Sequence, residues 1–343
     1  SKIYQVVDAG DAAVTPFDIQ TAMEQAYDFA MSLHKGGLDN TFKPLVMIGG
    51  DHLVPIATLK ALHDVRGGDG VCLIHFDAHM DTTDEYFGEF LDYFDEHDMW
   101  SDTALVLTTD HGFLLGEHDW WAKNRMPVYD EIAHIPLMIY HPDFADQGGT
   151  RRSLLTQTTD IMPTLLDMCR IPIPDDVTGK SLLPSLTADH QIRESVVFGY
   201  FGAAINVCDG RYSYFHYPKV DAAEHLFEYT LMPTRMTARF AIRELADATL
   251  HPSFSFTKGV PVLRLNPKTD EHGTPVEVQG LSFADQQSCL YDLSLDPAQS
   301  KPLDDPEIKA RMQAYIIDNM IALDAPAETY QRFGFPLPKN NSG

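Results

Sequence analysis

Two groups of residues in this chain have the types and spacing for metal-assisted hydrolysis. The first is Gly49-Gly50-Asp51-His52, followed by His75-Phe76-Asp77-Ala78-His79-Met80-Asp81. Asp77, His79 and Asp81 alternate, so an extended backbone sets all three side chains on one side. His52 comes from the end of a neighbouring strand. Two imidazoles with several carboxylates suit Mn²⁺ or another borderline-hard divalent ion. Two such ions can activate a bridging water for attack on a planar carbon. The second group is Thr108-Thr109-Asp110-His111-Gly112, continued by Gly116-Glu117-His118 and Lys123. A carboxylate and a neighbouring acceptor at a strand end, here Asp110 and His111, can hold a hard divalent cation. Lys123, with His118 close before it, can neutralise an anionic ester oxygen. Asp-His-Gly by itself is a turn sequence. The whole run from Thr109 to Lys123, with Trp120-Trp121, is far more specific.

The elements that must position these residues alternate strand and helix. Strands are expected at Lys2 to Val7, Pro44 to Ile48, Gly70 to Phe76, Thr103 to Thr108 and Pro136 to Tyr140. Helices are expected from Thr15 to about His34, from Val54 to His63 and from Asp84 to Asp98. The last carries Phe87, Phe90, Leu91 and Phe94 on one face. Alternating βα units imply an α/β fold, a three-layer sandwich around a mostly parallel sheet. Ligands in such sheets bind beyond the carboxyl ends of the strands, where His52, Asp77 and Asp110 fall. If the third and fourth strands adjoin, then Asp77, His79, Asp81, Asp110 and His111 face one crevice as a composite metal site.

The remainder is a smaller C-terminal α+β portion. Thr159 to Met168 reads as a helix whose Pro163 must fall in the first turn or mark a kink. Residues 171–187 are a Pro-rich connection, and Val196 to Tyr217 reads as short strands turning at Asp209-Gly210. Residues 222–280 are poorly periodic and suggest long loops. Leu290 to Leu293 is a short strand and Asp305 to Leu323 a closing helix. The expected segments are 1–88, 84–190 and 191–343.

Composition narrows the partners. The 343 residues hold 25 basic and 50 acidic side chains, a formal net charge of −25. That balance argues against nucleic acid and anionic membrane surfaces. An anionic substrate would need a local positive centre. Four cysteines without CxxC spacing give neither a disulfide scaffold nor a zinc pattern; Cys72 and Cys169 sit in apolar runs and read as core thiols. No apolar run has transmembrane length and no signal peptide opens the chain, so a cytoplasmic location is the default expectation, although an upstream segment could have been lost before Ser1. The oligomeric state is not legible.

Two resemblances follow from the motifs. Val6 to Asp11, Gly49 to His52 and His75 to Thr82 resemble the middle of an agmatinase-type ureohydrolase of the arginase family, over residues 1–88. The resemblance implies His52, Asp77, His79 and Asp81 as four of six manganese ligands, and cleavage of a guanidinium compound to urea. The remaining pair should come from a later S-x-D-x-D segment, which Tyr291 to Pro297 does not match because its aspartates are four apart. Residues 84–343 resemble the C-terminal part of a type I sulfatase of the alkaline-phosphatase superfamily. The strings are Asp102 to Leu105, Thr109 to Gly112, Gly116 to His118, Asp160 to Asp167, Asp209 to Tyr212 and Leu290 to Leu293. This resemblance implies Asp110 and His111 as calcium ligands, Lys123 and His118 at the sulfate, and a small-molecule or glycan sulfate ester as substrate. The formylglycine motif C-x-P-S-R has no counterpart here, nor do the family's first paired aspartates. The expectation is therefore a chimera joined near Asp81 to Glu89, a sulfatase-type hydrolase of impaired activity. A truncated ureohydrolase and a non-catalytic metal-binding α/β protein are the alternatives.

Overall fold

The computed structural model describes residues 25, 27, 28, 31, 72–76, 83–123, 127–218, 225–232, 239, 240, 242–267 and 287–338. The expected strands at Lys2 to Val7 and Pro44 to Ile48, the helix Val54 to His63, and His52, Asp77, His79 and Asp81 lie outside these residues. Gln25, Tyr27, Asp28 and Met31 are helical, within the helix expected from Thr15 to His34. The chain divides into two compact units, Ser1–Asp110 with Ile135–Gly149, and His111–His134 with Thr150–Gly343.

In the first unit, β1 (Cys72–Phe76) pairs in parallel with β2 (Ala104–Thr108), Cys72 opposite Ala104 and Phe76 opposite Thr108. Helix α1 (Thr83–Glu96) joins them. Its aromatic stripe does what the spacing predicts: Phe90 and Phe94 are buried with Met99 and Leu105, and Phe87, Leu91, Trp100 and Tyr140 pack around them. Phe94 and Trp100 rings lie 4.8 Å apart, and Trp100 meets Tyr140 edge-on. The Tyr140 hydroxyl donates to the Trp100 carbonyl at 2.6 Å, so the cluster is sealed by a hydrogen bond.

Among the described strands, β1 and β2 pair in parallel as expected, and the next pair is antiparallel. After β2 come β3 (Leu114–Leu115), β4 (Trp121–Ala122) and α2 (Asp130–Ala133), all in the second unit. Strand β5 (Leu137–Tyr140) then returns antiparallel to β2, with Leu105 opposite Tyr140 and Thr108 opposite Leu137. Strand direction is set by the returning path of the chain, which an apolar run does not encode. The Thr108 hydroxyl fixes the register by donating to the Pro136 carbonyl at 2.8 Å.

In the second unit, α3 (Ile161–Met168) carries Pro163 in its first turn, where a missing N–H costs nothing. Strands β6 (Val196–Phe198), β7 (Ile205–Cys208) and β8 (Tyr212–His216) form an antiparallel sheet. The β7–β8 turn lies at Asp209-Gly210: Asp209 Oδ1 accepts from the Arg211 and Tyr212 amides at 3.0 and 2.7 Å, and Gly210 takes φ +93°. In the stretch expected to be long loops, β9 (Glu228–Thr230), β10 (Thr249–His251) and β11 (Val262–Leu265) build a second sheet in the order β10-β11-β9, with α4 (Ile242–Ala246) between β9 and β10 in the chain. Strand β12 (Cys289–Asp292) adds to the edge of β8. Helix α5 (Pro306–Ala322) starts as predicted, with Asp305 accepting from the Glu307 and Ile308 amides at 3.0 Å and Pro306 at the first position. Its Met312, Ile316 and Met320 pack with Val207, Tyr214, Leu290 and Tyr330. The chain closes with α6 (Ala327–Phe333), ended by Gly334 at φ +71°.

One burial expectation is overturned. Cys169 is exposed rather than a core thiol, because α3 ends at Met168 and Cys169 is the residue that caps it. Cys72 is described by its backbone in β1.

Candidate functional site

The residues singled out near Lys123 are carried by a short hairpin. Strands β3 and β4 pair antiparallel, with Leu114 opposite Ala122 and Leu115 opposite Trp121. Gly116 turns the chain at φ +122°, a conformation costly for any residue with a Cβ. The Glu117 carboxylate accepts from the Leu115 amide at 2.5 Å, and backbone N–H donors hold its pKa below the usual range. The fully buried Leu114 anchors the hairpin in a cluster with Val128, Ile132, Ala203 and Ala204.

Within that turn His118 adopts the left-handed conformation, φ +53° and ψ +30°. Such backbone is uncommon for a non-glycine residue and points to a side chain held by its surroundings. The holder is Tyr129: the two rings stack with centroids 3.4 Å apart and planes inclined by 5°. Tyr129 is buried and meets Phe215 edge-on at 5.6 Å. His118 Nε2 lies 3.7 Å from Glu131 Oε2 on α2, beyond hydrogen-bond reach but within electrostatic contact. Neither Tyr129 nor Glu131 is identified by sequence reading, since nothing in the 118–131 spacing announces a ring stack.

Gly112 explains how α2 comes so close. Its amide donates to the Ile132 carbonyl at 2.8 Å, and a Cβ added there would stand 1.8 Å from the Glu131 carbonyl oxygen. His111 Nδ1 is 2.9 Å from the Gly112 carbonyl. A carbonyl can only accept, so Nδ1 bears a proton, and Nε2 is the nitrogen that a cation would use. Asp110, in the first unit, is exposed, and its Oδ1 accepts weakly from the Thr109 hydroxyl at 3.4 Å. Lys123 is half-buried, and its carbonyl accepts from the Tyr200 hydroxyl.

Among the described residues no three His, Cys, Asp or Glu side chains converge as a metal site. The Nδ1 hydrogen bond of His111 leaves Nε2 as the nitrogen for a cation, but these residues by themselves do not complete a coordination shell, so no chemical step is routed through a metal here. Among the described residues no helix is long and apolar enough to cross a membrane.

Two further motifs resolve as architecture. Asp160 is fully buried and takes a two-pronged ion pair from Arg193, at 2.5 and 2.6 Å, plus the Gln157 and Lys180 amides at 2.8 Å. Asp209 and Asp292 bind Arg311 and Arg211, each at 2.8 Å. The Arg211 guanidinium and Ser294 hold the Asp292 carboxyl down to about 2.

Comparison with known proteins gives two family matches. Residues 116–238 match the C-terminal family of N-sulphoglucosamine sulphohydrolase, and residues 1–133 match the arginase family. The sulfatase match contains both His118 and Lys123, and the arginase match runs past the expected join. A Bacteroides thetaiotaomicron N-acetylglucosamine-6-O-sulfatase is 38% identical over 105 residues, 31% of this chain and 18% of the relative. Arylsulfatase K of Gallus gallus is 36% identical over 104 residues, 30% of this chain and 19% of the relative. The matched stretch thus spans about a fifth of each of these relatives. Among solved structures, a sulfatase in complex with its substrate D-glucosamine-2-N,6-O-disulfate superposes with a TM-score of 0.43 at 15% identity, covering 80% of this chain and 41% of that one. A phosphonate monoester hydrolase of Agrobacterium radiobacter gives 0.42 at 19%, covering 88% and 49%. The chain carries a sulfatase-family signal in its sequence, with an arginase-family signal at its start.

Proposed function

We propose that this chain is a sulfatase-type hydrolase segment that recognises sulfate monoesters, joined to a ureohydrolase-type segment near Asp81 to Glu89. The observation that carries the reading is the sulfatase family match over residues 116–238, which takes in His118 and Lys123. In this reading Lys123 meets an anionic ester oxygen and His118, held against Tyr129, supports it. Asp110 and His111 are assigned to a divalent cation, Ca²⁺, by their place in the motif. The substrate class is a sulfate ester of a sugar or small aryl alcohol. No cysteine or serine of the chain stands in C-x-P-S-R, so binding without efficient turnover is expected.

The test is titration of 4-nitrophenyl sulfate and inorganic sulfate against wild type and Lys123→Ala, with sulfate release followed in parallel. Lys123→Ala should weaken both ligands roughly tenfold, the loss of one charge-assisted contact. Equal affinities would sink the reading. Ca²⁺ should raise the melting temperature of the wild type and not of Asp110→Ala, because a ligand of the folded state stabilises it by mass action.

The arginase family match favours a second reading. There His52, Asp77, His79 and Asp81 bind Mn²⁺ and the substrate is a guanidinium compound. Urea released from agmatine with Mn²⁺, and lost in Asp77→Ala, would establish it.

A further inference from the structure

The Lys123 loop is tied to a second loop through one hydrogen bond, from the Tyr200 hydroxyl to the Lys123 carbonyl. The second loop is a built turn. The Ala203 amide donates to the Tyr200 carbonyl at 3.1 Å, and Arg332 donates to the Gly202 carbonyl at 2.5 Å. Gly199 sits at φ +143°, where a Cβ would stand 2.6 Å from the Ala204 carbonyl oxygen. This fixed geometry presents aromatic rings to solvent. Trp121 is 64% exposed, Phe201 57% and Tyr200 41%, with Leu115, 51% exposed, directly across the hairpin from Trp121. Exposed apolar rings on a loop bonded to the Lys123 backbone are the kind of surface that ligand sites use. Burial pushes the Tyr200 hydroxyl pKa upward, so it stays neutral beside the tethered carbonyl.

The required ligand has two characters. It offers an apolar face to rings, and a negative charge to Lys123. A pyranose ring has such a face, formed by its axial C–H bonds, and a sulfate ester supplies the charge. With a net charge of −25, the chain repels polyanions and tolerates a small monoanion at a local positive centre. We infer that Trp121, Tyr200 and Phe201 form a stacking platform for the sugar ring of a sulfated monosaccharide whose sulfate lies toward Lys123. This rests on the sulfate-recognition reading and adds to it the choice of sugar over aryl esters.

The experiment uses the full chain with three probes: glucosamine 6-sulfate, methyl glucosaminide and inorganic sulfate. Affinities are measured by calorimetry, and ring contact by NMR saturation transfer to the sugar C–H protons. Both sugars should receive saturation. Trp121→Ala should weaken both by roughly tenfold and leave inorganic sulfate unchanged, and Phe201→Ala should act in the same direction. Both side chains are exposed, so neither change should alter the melting temperature. Unchanged sugar affinity in both variants, or no saturation of either sugar, overturns the platform. Lys123→Ala should abolish the preference for the sulfated sugar while methyl glucosaminide still binds. Platform contacts that persist with no effect of Lys123 would defeat the sulfate reading alone. A concentration-dependent dimer lost in Trp121→Ala would assign the aromatic surface to a second copy of the chain and overturn the sugar platform.

Discussion

His118 lies flat on Tyr129, with ring centroids 3.4 Å apart and planes 5° from parallel. The stack holds a histidine in a backbone conformation it rarely adopts, and Tyr129 is itself buried in a cluster with Phe215 and Tyr291. Replacing Tyr129 by Phe keeps the ring and should cost less than about 1 kcal/mol. Tyr129→Ala should cost about 3–5 kcal/mol, as for other buried aromatics. Urea unfolding of the two variants measures the difference. Equal losses would mean that the ring is not what matters.

Gly112 admits no side chain. Gly112→Ala drives a methyl into the Glu131 carbonyl and breaks the bond from the Gly112 amide to Ile132. The expected loss is about 2–4 kcal/mol, typical of a substitution that forces backbone apart. The His118 ring proton shifts should move in the same variant, because Tyr129, which precedes α2, and Glu131, on α2, lie close to that contact. A stable variant with unmoved shifts would refute the wedge.

Arg193→Ala leaves the Asp160 carboxylate buried without its cation. Breaking one side of a buried pair costs about 3–5 kcal/mol. The amides of Gln157 and Lys180 remain to soften the loss. A denaturation midpoint within error of the wild type would show that those amides suffice alone.

Acid should weaken the second unit in two stages. Burial, with Lys309 adding to it, lowers the His216 pKa, while Nε2 donates to the Phe333 carbonyl at 2.9 Å. Nδ1, 3.0 Å from the Tyr214 hydroxyl, accepts. The folded state then binds this proton less readily than the unfolded chain. Stability from His216 is complete above the unfolded value of about 6.5 and falls as pH drops below it. The Asp292 contribution is complete above its ordinary 3.8 and is lost as pH falls toward about 2. Unfolding midpoints between pH 8 and about pH 2 should show both steps. His216→Gln should remove the first and spare the second.

How far the sequence carried can be read from single elements. Phe90 and Phe94 announced α1 because one repeated face is all a surface helix needs. Asp305 and Asp209-Gly210 were legible because caps and turns are local chemistry. Strands β9 to β11 were not, since each has three or four residues and no clean alternation; Leu250 in β10 is 75% exposed. The antiparallel return of β5 depends on a path that leaves the first unit for the 24 residues from His111 to His134 and comes back. At the candidate site His118 and Lys123 were visible as motif residues. Tyr129, Glu131 and Tyr200 were not, because they reach the loop through space.

The packing of Leu114, Val128 and Ile132 against Ala203 and Ala204 also sets a timetable for synthesis. About 70 residues separate Ile132 from Ala203, which takes roughly 4–14 s at ordinary elongation rates. Throughout that interval the nascent hairpin bearing His118 and Lys123 lacks part of its apolar support. A ribosome that stalls inside the Pro-rich stretch at 171–187 would lengthen the delay, leaving Leu114 open to chaperones and proteases before its partners have been made.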